Sequence, residues 1–297
     1  MFWRLGFAQQ SPVEQLLESN DFDLVRLLDE DDLIQECKQL NQKLVDYLAT
    51  PEQLQQLLQY IVNEPPEDGG DKEKFIYPYK SSEVLACDIG QLNDLLFSRP
   101  DMIEQLLSIL QREPPLSPLP AGYFCKVMIS LLSRRPEETL KVIEEHKVVP
   151  MLLQHLGASS VLELLLKVVS EVEESMHTRA YRSNFPDTGA MFGRTESHPA
   201  GEEMYQETVN QDVDVEWLHE LHVVDALIGK FDASQSDEMH ANASAALIGL
   251  ISTQSQSAIM SHNTSSAMSS RRLGCELLVP SSTVSLLDKT LKSGSSS

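Results

Sequence analysis

The chain has 297 residues, enough for one elongated helical array or two ordinary domains. It carries 45 acidic and 23 basic side chains, and the resulting net charge of −22 repels nucleic-acid phosphates and anionic lipid head groups. Nucleic acid and membrane insertion are therefore disfavoured, the second also because no stretch approaches about 18 uncharged apolar residues. A basic protein surface is the natural complement of such a chain.

The cysteines and the N-terminal residues indicate the cellular compartment in which the protein is expected. Cys37, Cys87, Cys125 and Cys275 are isolated in apolar surroundings, a pattern typical of reduced, buried thiols rather than of a zinc site. The start at Met1 lacks the basic segment and apolar run of a secretory signal. We expect a soluble protein of the cytoplasm, with the nucleus left open as a second compartment.

The first predicted helices are marked by capping and proline signals. Ser11 and Glu14 form a capping box with Pro12 at the first helical position. A second helix is expected over 33–48, where apolar residues step by three or four and Asp32 can cap the first turn. Thr50 and the following proline then end that helix and start the next.

Two segments align without gaps at an offset of 49 residues. Both 51–66 and 100–115 begin with Pro, carry a Leu-Leu pair and end in Glu-Pro-Pro, a sequence that stops a helix. A period of this length is typical of HEAT and armadillo units and predicts stacked helical hairpins. The alternative is coincidence between two leucine-rich helices.

The rest of the chain alternates between helical and loose segments. Residues 175–211 contain Gly, Pro and polar residues without periodicity, which predicts a flexible insert, and the serine-rich end is expected to be mostly disordered. The predicted fold is an all-α, HEAT/armadillo-like helical-repeat solenoid over 1–174, the insert 175–211, further repeats over 212–252 and the end 253–297. The later helices are expected at 118–134, 136–146, 148–156, 159–173, 214–231, 236–252 and 279–291.

Catalytic and cofactor motifs are missing from the sequence. It contains no phosphate-binding glycine loop and no nucleophile elbow, so we expect no cofactor and no enzymatic activity. His219 and His222 lie three residues apart, one residue short of the zincin spacing, and a solvated helix surface is favoured over a metal site. The composition suits a protein that presents helix faces to other proteins.

Several segments, in order along the chain, resemble the SAPS-domain regulatory subunits of protein phosphatase 6. The opening Met1-Phe2-Trp3-Arg4 is similar to the start of that family, and its acidic stretch resembles residues 28–38, Leu-Asp-Glu-Asp-Asp-Leu-Ile-Gln-Glu-Cys-Lys. The likeness continues through 41–44, 83–88, 113–119, 156–166, Trp217-Leu218 and Asn242-Ala243-Ser244.

The resemblance implies a helical-repeat protein that binds a serine/threonine phosphatase catalytic subunit of the protein phosphatase 6 type. It also implies ankyrin-repeat regulatory subunits as further partners in the same holoenzymes. A regulatory and scaffolding subunit without catalytic groups is therefore the leading interpretation. The runner-up is a helical-repeat adaptor of another class, for trafficking or transport, with no phosphatase partner.

An acidic segment supplies the candidate protein-binding residues. Its acids stand at a helix start where apolar neighbours already account for the packing, so they are free to face outward toward basic residues of a partner. The alternative, equally weighted, is that they only cap the helix and keep the segment solvated. The candidates are Asp29, Glu30, Asp31, Asp32, Glu36 and Lys38.

Overall fold

The computed structural model describes residues 11–19, 22–184, 218 and 221–260, and these residues form helices joined by short turns, with no strand among them. The predicted all-α fold class is confirmed. A π-helical turn, Lys72–Ile76, precedes α6, and a 3₁₀ turn, Ser108–Gln111, follows α8. The helices are α1 Pro12–Glu18, α2 Leu24–Asp29, α3 Leu33–Lys38, α4 Gln42–Leu48, α5 Pro51–Val62, α6 Tyr77–Ala86, α7 Gly90–Ser98, α8 Pro100–Leu107, α9 Pro118–Arg134, α10 Pro136–Glu145, α11 Val148–Gln154, α12 Ser159–Asn184, α13 Val223–Gly229 and α14 Asp237–Met260.

Proline sets the start of many helices, because its fixed φ suits the first turn and its missing N–H has no partner there in any helix. Pro51, Pro100, Pro118 and Pro136 each occupy the first position of their helix. The predicted capping box of α1 is confirmed: the Glu14 N–H donates to Ser11 Oγ at 3.1 Å, and the Ser11 N–H donates to Glu14 Oε2 at 3.3 Å.

The chain divides into two compact units. The first comprises residues up to 167 together with 236–242, and the second comprises 168–235 and 243 onward. The second unit buries aliphatic residues of its own on α12, α13 and α14. These are Val168, Val169, Val172, Val223, Val224, Leu227, Ile228, Ala243, Ala246, Leu247 and Leu250.

Within the first unit, α5 and α8 are neighbours that start 49 residues apart, as the sequence alignment predicts. Arg112 Nη2 donates to the carbonyl of Val62 at 2.6 Å, and Nη1 donates to Glu64 at 3.0 Å. Gln105 Nε2 donates to the carbonyl of Gln55 at 3.1 Å. The bonds join residues 48 to 50 positions apart, so the two segments stack as successive repeats.

The same stacking continues on both sides of this pair. Lys80 Nζ reaches the carbonyl of Glu30 at 2.7 Å, again across 50 residues, and ties α6 to the end of α2. The buried His155 donates from Nε2 to the carbonyl of Leu110 at 2.9 Å, 45 residues earlier. Asn242 Nδ2 donates to the carbonyls of Leu156 at 2.8 Å and Gly157 at 3.0 Å, and so joins two segments that carry the family resemblance.

Several predicted boundaries need correction. The single helix expected over 33–48 is two helices, because Leu40 adopts a left-handed backbone with φ of 55° and ends the first of them. Helix α12 continues to Asn184, ten residues past the predicted boundary at 174. Three predicted segments lie wholly or partly outside the described residues. These are the insert after residue 184, the part of the 214–231 helix before residue 221, of which only residue 218 is described, and the whole 279–291 helix.

The second repeat ends differently from the first. Helix α5 stays α-helical to Val62, whereas α8 tightens into the 3₁₀ turn, and the Pro114–Pro115 peptide bond of the second Glu-Pro-Pro is cis. The repeats are therefore equivalent at their starts and in their mutual contacts rather than in every turn. In the described ranges, no helix combines the length and the apolar character that a membrane crossing requires.

Candidate protein-binding surface

The first acid of the candidate segment, Asp29, is already engaged by α6 and the π-helical turn before it. Its carboxylate accepts from Lys72 Nζ at 2.9 Å and from the Tyr77 hydroxyl at 3.0 Å. The hydrogen bond from Lys72, with a smaller one from Tyr77, lowers the pKa of Asp29 below its ordinary value. Burial, with the Asp29 contact, raises the pKa of Tyr77 to about 12. Asp29 therefore joins two repeats.

The next three acids differ in exposure. Glu30 is half-buried, and its carbonyl accepts from the buried ammonium of Lys80. Asp31 and Asp32 are exposed. Asp32 is the N-cap residue of α3, but its side chain makes no capping hydrogen bond, contrary to the sequence prediction, because its backbone is helical rather than extended.

The remaining two candidates have opposite environments. Glu36 is only 8% exposed and accepts a hydrogen bond of 2.8 Å from Asn41 Nδ2, and Asn41 Oδ1 in turn caps α4 at the Leu44 N–H. The expectation that Glu36 faces outward is wrong, because its carboxylate orients this cap. Lys38 is exposed. Of the six candidates, Asp31, Asp32 and Lys38 thus offer the most accessible charged groups.

A second surface feature, which we call the aromatic patch, lies on the π-helical turn, on α6 and on α9. It consists of Phe75 and Tyr79, each 48% exposed, Ile76 at 38% and Leu119 at 44%. Large apolar side chains with this exposure, grouped on adjoining elements, are typical of contact surfaces for other proteins. The sequence did not predict the patch. Its aromatic residues Phe75, Tyr77 and Tyr79 recur every second residue, and a spacing of two does not show which residues face the core of a helical protein and which face the solvent.

Contacts at the edge of the patch fix how α6 and α9 align. The Lys126 ammonium forms an ion pair with Glu83 and lies 5.5 Å from the centre of the Tyr79 ring. Ser130 Oγ donates to the carbonyl of Ala86 at 3.3 Å. These pairs are 43 to 44 residues apart, so α6 and α9 run in the same direction.

A cavity of about 320 Å³ opens beside the patch, between α5 and α6. Its lining includes amide side chains, three prolines, Tyr60 and two carboxylates, Glu64 and Glu73. Glu64 is held by Arg112, and Glu73 accepts from the Gly70 N–H at 3.2 Å. No cysteine, serine or histidine lines the cavity, so it contains no nucleophile paired with a base.

The cysteine thiols are not activated. Burial raises the pKa of Cys37, and burial raises the pKa of Cys125 to about 12, so both thiols stay protonated at neutral pH. Both are free and buried, as predicted, whereas Cys87 is half-buried and Cys275 lies outside the described residues. A nucleophilic role is disfavoured for these groups.

In the part of the chain that the structure describes, no group of three or more His, Cys, Asp or Glu side chains is placed to hold a metal ion. Of the two histidines singled out in the sequence, His219 lies outside the described residues. His222 has a left-handed backbone and directly precedes α13, so it stands before that helix rather than on its face.

Several known proteins are similar to this chain, and most of them are named as phosphatase 6 regulatory subunits. Over 252 residues, 84% of this chain, it is 32% identical to serine/threonine-protein phosphatase 6 regulatory subunit 3 of Gallus gallus and to regulatory subunit 1 of Homo sapiens. It is 37% identical over 184 residues to extragenic suppressor of kinetochore protein 1 of Schizosaccharomyces pombe. The chain spans about a quarter of the length of these curated relatives: 25%, 25% and 22%. No family model and no solved structure matches it.

Proposed function

This chain belongs to the SAPS-domain family, and we propose that it is a non-catalytic regulatory subunit that binds a serine/threonine phosphatase catalytic subunit of the protein phosphatase 6 type. One observation carries the proposal: the similarity to phosphatase 6 regulatory subunits spans 84% of the chain. A match of that extent takes in most of the stacked helices rather than one short motif. The relatives are regulatory subunits, and this supports a role without catalysis.

The stacked helices supply the mechanism. In the first unit, successive repeats are tied together by bonds such as Arg112 to Val62 and Lys80 to Glu30 and form a framework that fixes side-chain positions. A framework that holds a phosphatase with one surface and a substrate with another raises the effective concentration of each for the other. The chain then directs the activity of its partner without contributing a reacting group. Ankyrin-repeat subunits as further partners remain a prediction of the family resemblance.

Affinity purification of the tagged full chain from cells tests this function. The expected result is a phosphatase catalytic subunit of the protein phosphatase 6 type as the dominant specific partner. Recovery of trafficking or transport proteins without any phosphatase would instead support the adaptor alternative. Phosphatase activity in the recovered complex should follow the amount of the catalytic subunit and should be absent from the purified chain alone.

A further inference from the structure

We propose that the aromatic patch is the surface on which the phosphatase catalytic subunit docks, with an apolar area of the partner at the centre and basic side chains of the partner around it. This inference rests on the proposed function and deepens it by assigning the contact surface. The patch is Phe75, Ile76, Tyr79 and Leu119, as defined above.

The exposed side chains have no structural reason to be apolar. Helix α6 is already held by its other faces: Tyr77 is buried against Tyr60, with ring centres 5.6 Å apart, and Lys80 is bound to Glu30. Phe75, in the π-helical turn, and Tyr79, four residues later on α6, are each 48% exposed, unlike the buried Tyr77 and Lys80. Aromatic side chains with part of their surface in water are the usual anchors of protein interfaces.

The patch extends across two repeats rather than one helix. Burial and, to a smaller extent, the neighbouring Tyr79 raise the pKa of Tyr123, as expected for a ring that lies against the patch on α9. Lys126 covers one edge of Tyr79 and is itself neutralised by Glu83. The Lys126 contact with Tyr79 therefore joins the surfaces of α6 and α9, and the charge of Lys126 is paired within the fold.

Charge around the patch indicates the chemistry of the partner. The two lysines of the π-helical turn are engaged internally: Lys72 pairs with Asp29, and Lys74 Nζ donates to the carbonyl of Glu67 at 2.5 Å. Asp71, the residue before this turn, is exposed. Asp31 and Asp32 are exposed as well, and they follow Glu30, whose carbonyl binds Lys80 of α6. The rim is thus acidic, in agreement with the net charge of −22. An apolar centre with an acidic rim fits a partner whose own apolar contact area is bordered by Lys and Arg.

The test is a binding titration of the purified full chain against a purified protein phosphatase 6-type catalytic subunit. Two variants alter the patch from different helices: Phe75→Ser with Tyr79→Ser, and Leu119→Ser alone. The matched control is Ile248→Ser, which removes an apolar side chain that is 64% exposed on α14. We expect the double variant to weaken binding by about tenfold or more, Leu119→Ser by about threefold or more, and the control by less than about twofold.

The outcomes separate the docking surface from the function. Unchanged binding by both patch variants, beside normal binding by the parent chain, would overturn the patch and leave the proposed function intact. No binding by the parent chain would overturn both. Light scattering tests whether a second copy of this chain occupies the patch instead. If the parent chain is a dimer, the patch variants are monomers and phosphatase binding is unaffected, the patch is a self-association surface and the proposal is rejected. Circular dichroism should show equal folding for all four proteins, because the altered side chains are exposed.

Discussion

The residues of the acidic segment differ in burial and in hydrogen bonding. Glu36 is buried and bonded to the residue that caps α4, whereas Asp32 is exposed and makes no capping bond. Removing Glu36 leaves the half-buried Asn41 amide without its acceptor, whereas the Asp32 side chain makes no capping bond that could be lost. The same segment therefore contains a structural acid and a solvated one.

We predict that Glu36→Ala lowers the free energy of unfolding by about 1–2 kcal/mol, because the Asn41 amide loses its partner and the α4 cap loosens. The matched control Asp32→Ala should change it by less than about 0.5 kcal/mol. Urea unfolding followed by circular dichroism measures both. Equal losses in the two variants would show that burial of Glu36 does not matter to stability.

Glu173 is a second residue with a distinctive environment. It is 6% exposed, neither carboxylate oxygen has a hydrogen-bond partner among the described residues, and burial raises its pKa from 4.5 to about 7. Between these two values the unfolded chain releases the proton while the folded chain keeps it. Folding therefore becomes less favourable as pH rises through this window, and the penalty is constant above it.

We predict that Glu173→Gln is more stable than the parent chain at pH 8, by up to about 3 kcal/mol, and nearly equal to it at pH 4.5. Denaturant unfolding at the two pH values measures the difference. Glu36→Gln, which alters a buried carboxylate that accepts a hydrogen bond from Asn41, serves as the control. A Glu173→Gln effect of the same size at both pH values would contradict a raised pKa in the folded state.

At the level of helices, the repeat is held by bonds between equivalent elements. Arg112 makes two such bonds, to Val62 and Glu64, whereas Arg99 makes only a local pair with Asp101, two residues away. The Arg112 side chain is 31% exposed, so part of its charge is shielded from water, and its hydrogen bonds count for more than a surface ion pair.

We therefore predict that Arg112→Ala costs about 1 kcal/mol of unfolding free energy, because α8 and its 3₁₀ turn lose their tie to the end of α5. The control Arg99→Ala should cost less than about 0.5 kcal/mol. Thermal and urea unfolding of both variants supply the comparison. The rate of amide hydrogen exchange at α5 and α8 should rise in Arg112→Ala and not in Arg99→Ala. Unchanged exchange rates in Arg112→Ala would argue against stacking through this residue.

Helix starts were more predictable than helix ends. Prolines and the Ser11–Glu14 box depend on a few local residues, and the starts at Pro51, Pro100, Pro118 and Pro136 were all anticipated. The break at Leu40 was missed, because no glycine or proline marks it and a leucine seldom takes a left-handed backbone. The continuation of α12 to Asn184 was missed as well, since that segment is polar and shows no apolar periodicity.

The candidate site was predictable only in part. Sequence spacing located the acids 29–36, but the partners that engage Asp29 come from residues 72 and 77, more than 40 positions away. Such long-range pairs leave no local signal. The aromatic patch has the same difficulty, because its exposure depends on which face of α6 packs against α2 and α5. The family resemblance, by contrast, is recognisable from the sequence without any structural information.

Across the whole molecule, the acidic charge and the stacked repeats point to a basic protein partner. We predict that reversing Asp31 and Asp32 to Lys slows association with the phosphatase catalytic subunit several-fold at low salt, by about threefold or more, and weakens its salt dependence. Glu36 is left unchanged in this variant because it is buried. The matched control reverses two exposed acids of α10, Glu137 and Glu144, which changes the net charge equally.

Stopped-flow association at two ionic strengths separates local from global charge. The acidic segment predicts slower association for the Asp31 and Asp32 variant than for the α10 control, with unchanged helicity in both. Equal slowing by the two variants would attribute the effect to net charge, and unchanged rates in a folded variant would assign Asp31 and Asp32 to solvation alone.

The central claim is that this chain binds a phosphatase catalytic subunit and contributes no catalysis of its own. The most direct measurement is size-exclusion chromatography with light scattering on the purified full chain mixed with a purified protein phosphatase 6-type catalytic subunit, at about 10 μM each. We expect one complex whose mass is the sum of the two proteins, with phosphatase activity only where the catalytic subunit elutes. Two separate peaks with the masses of the free proteins would contradict it.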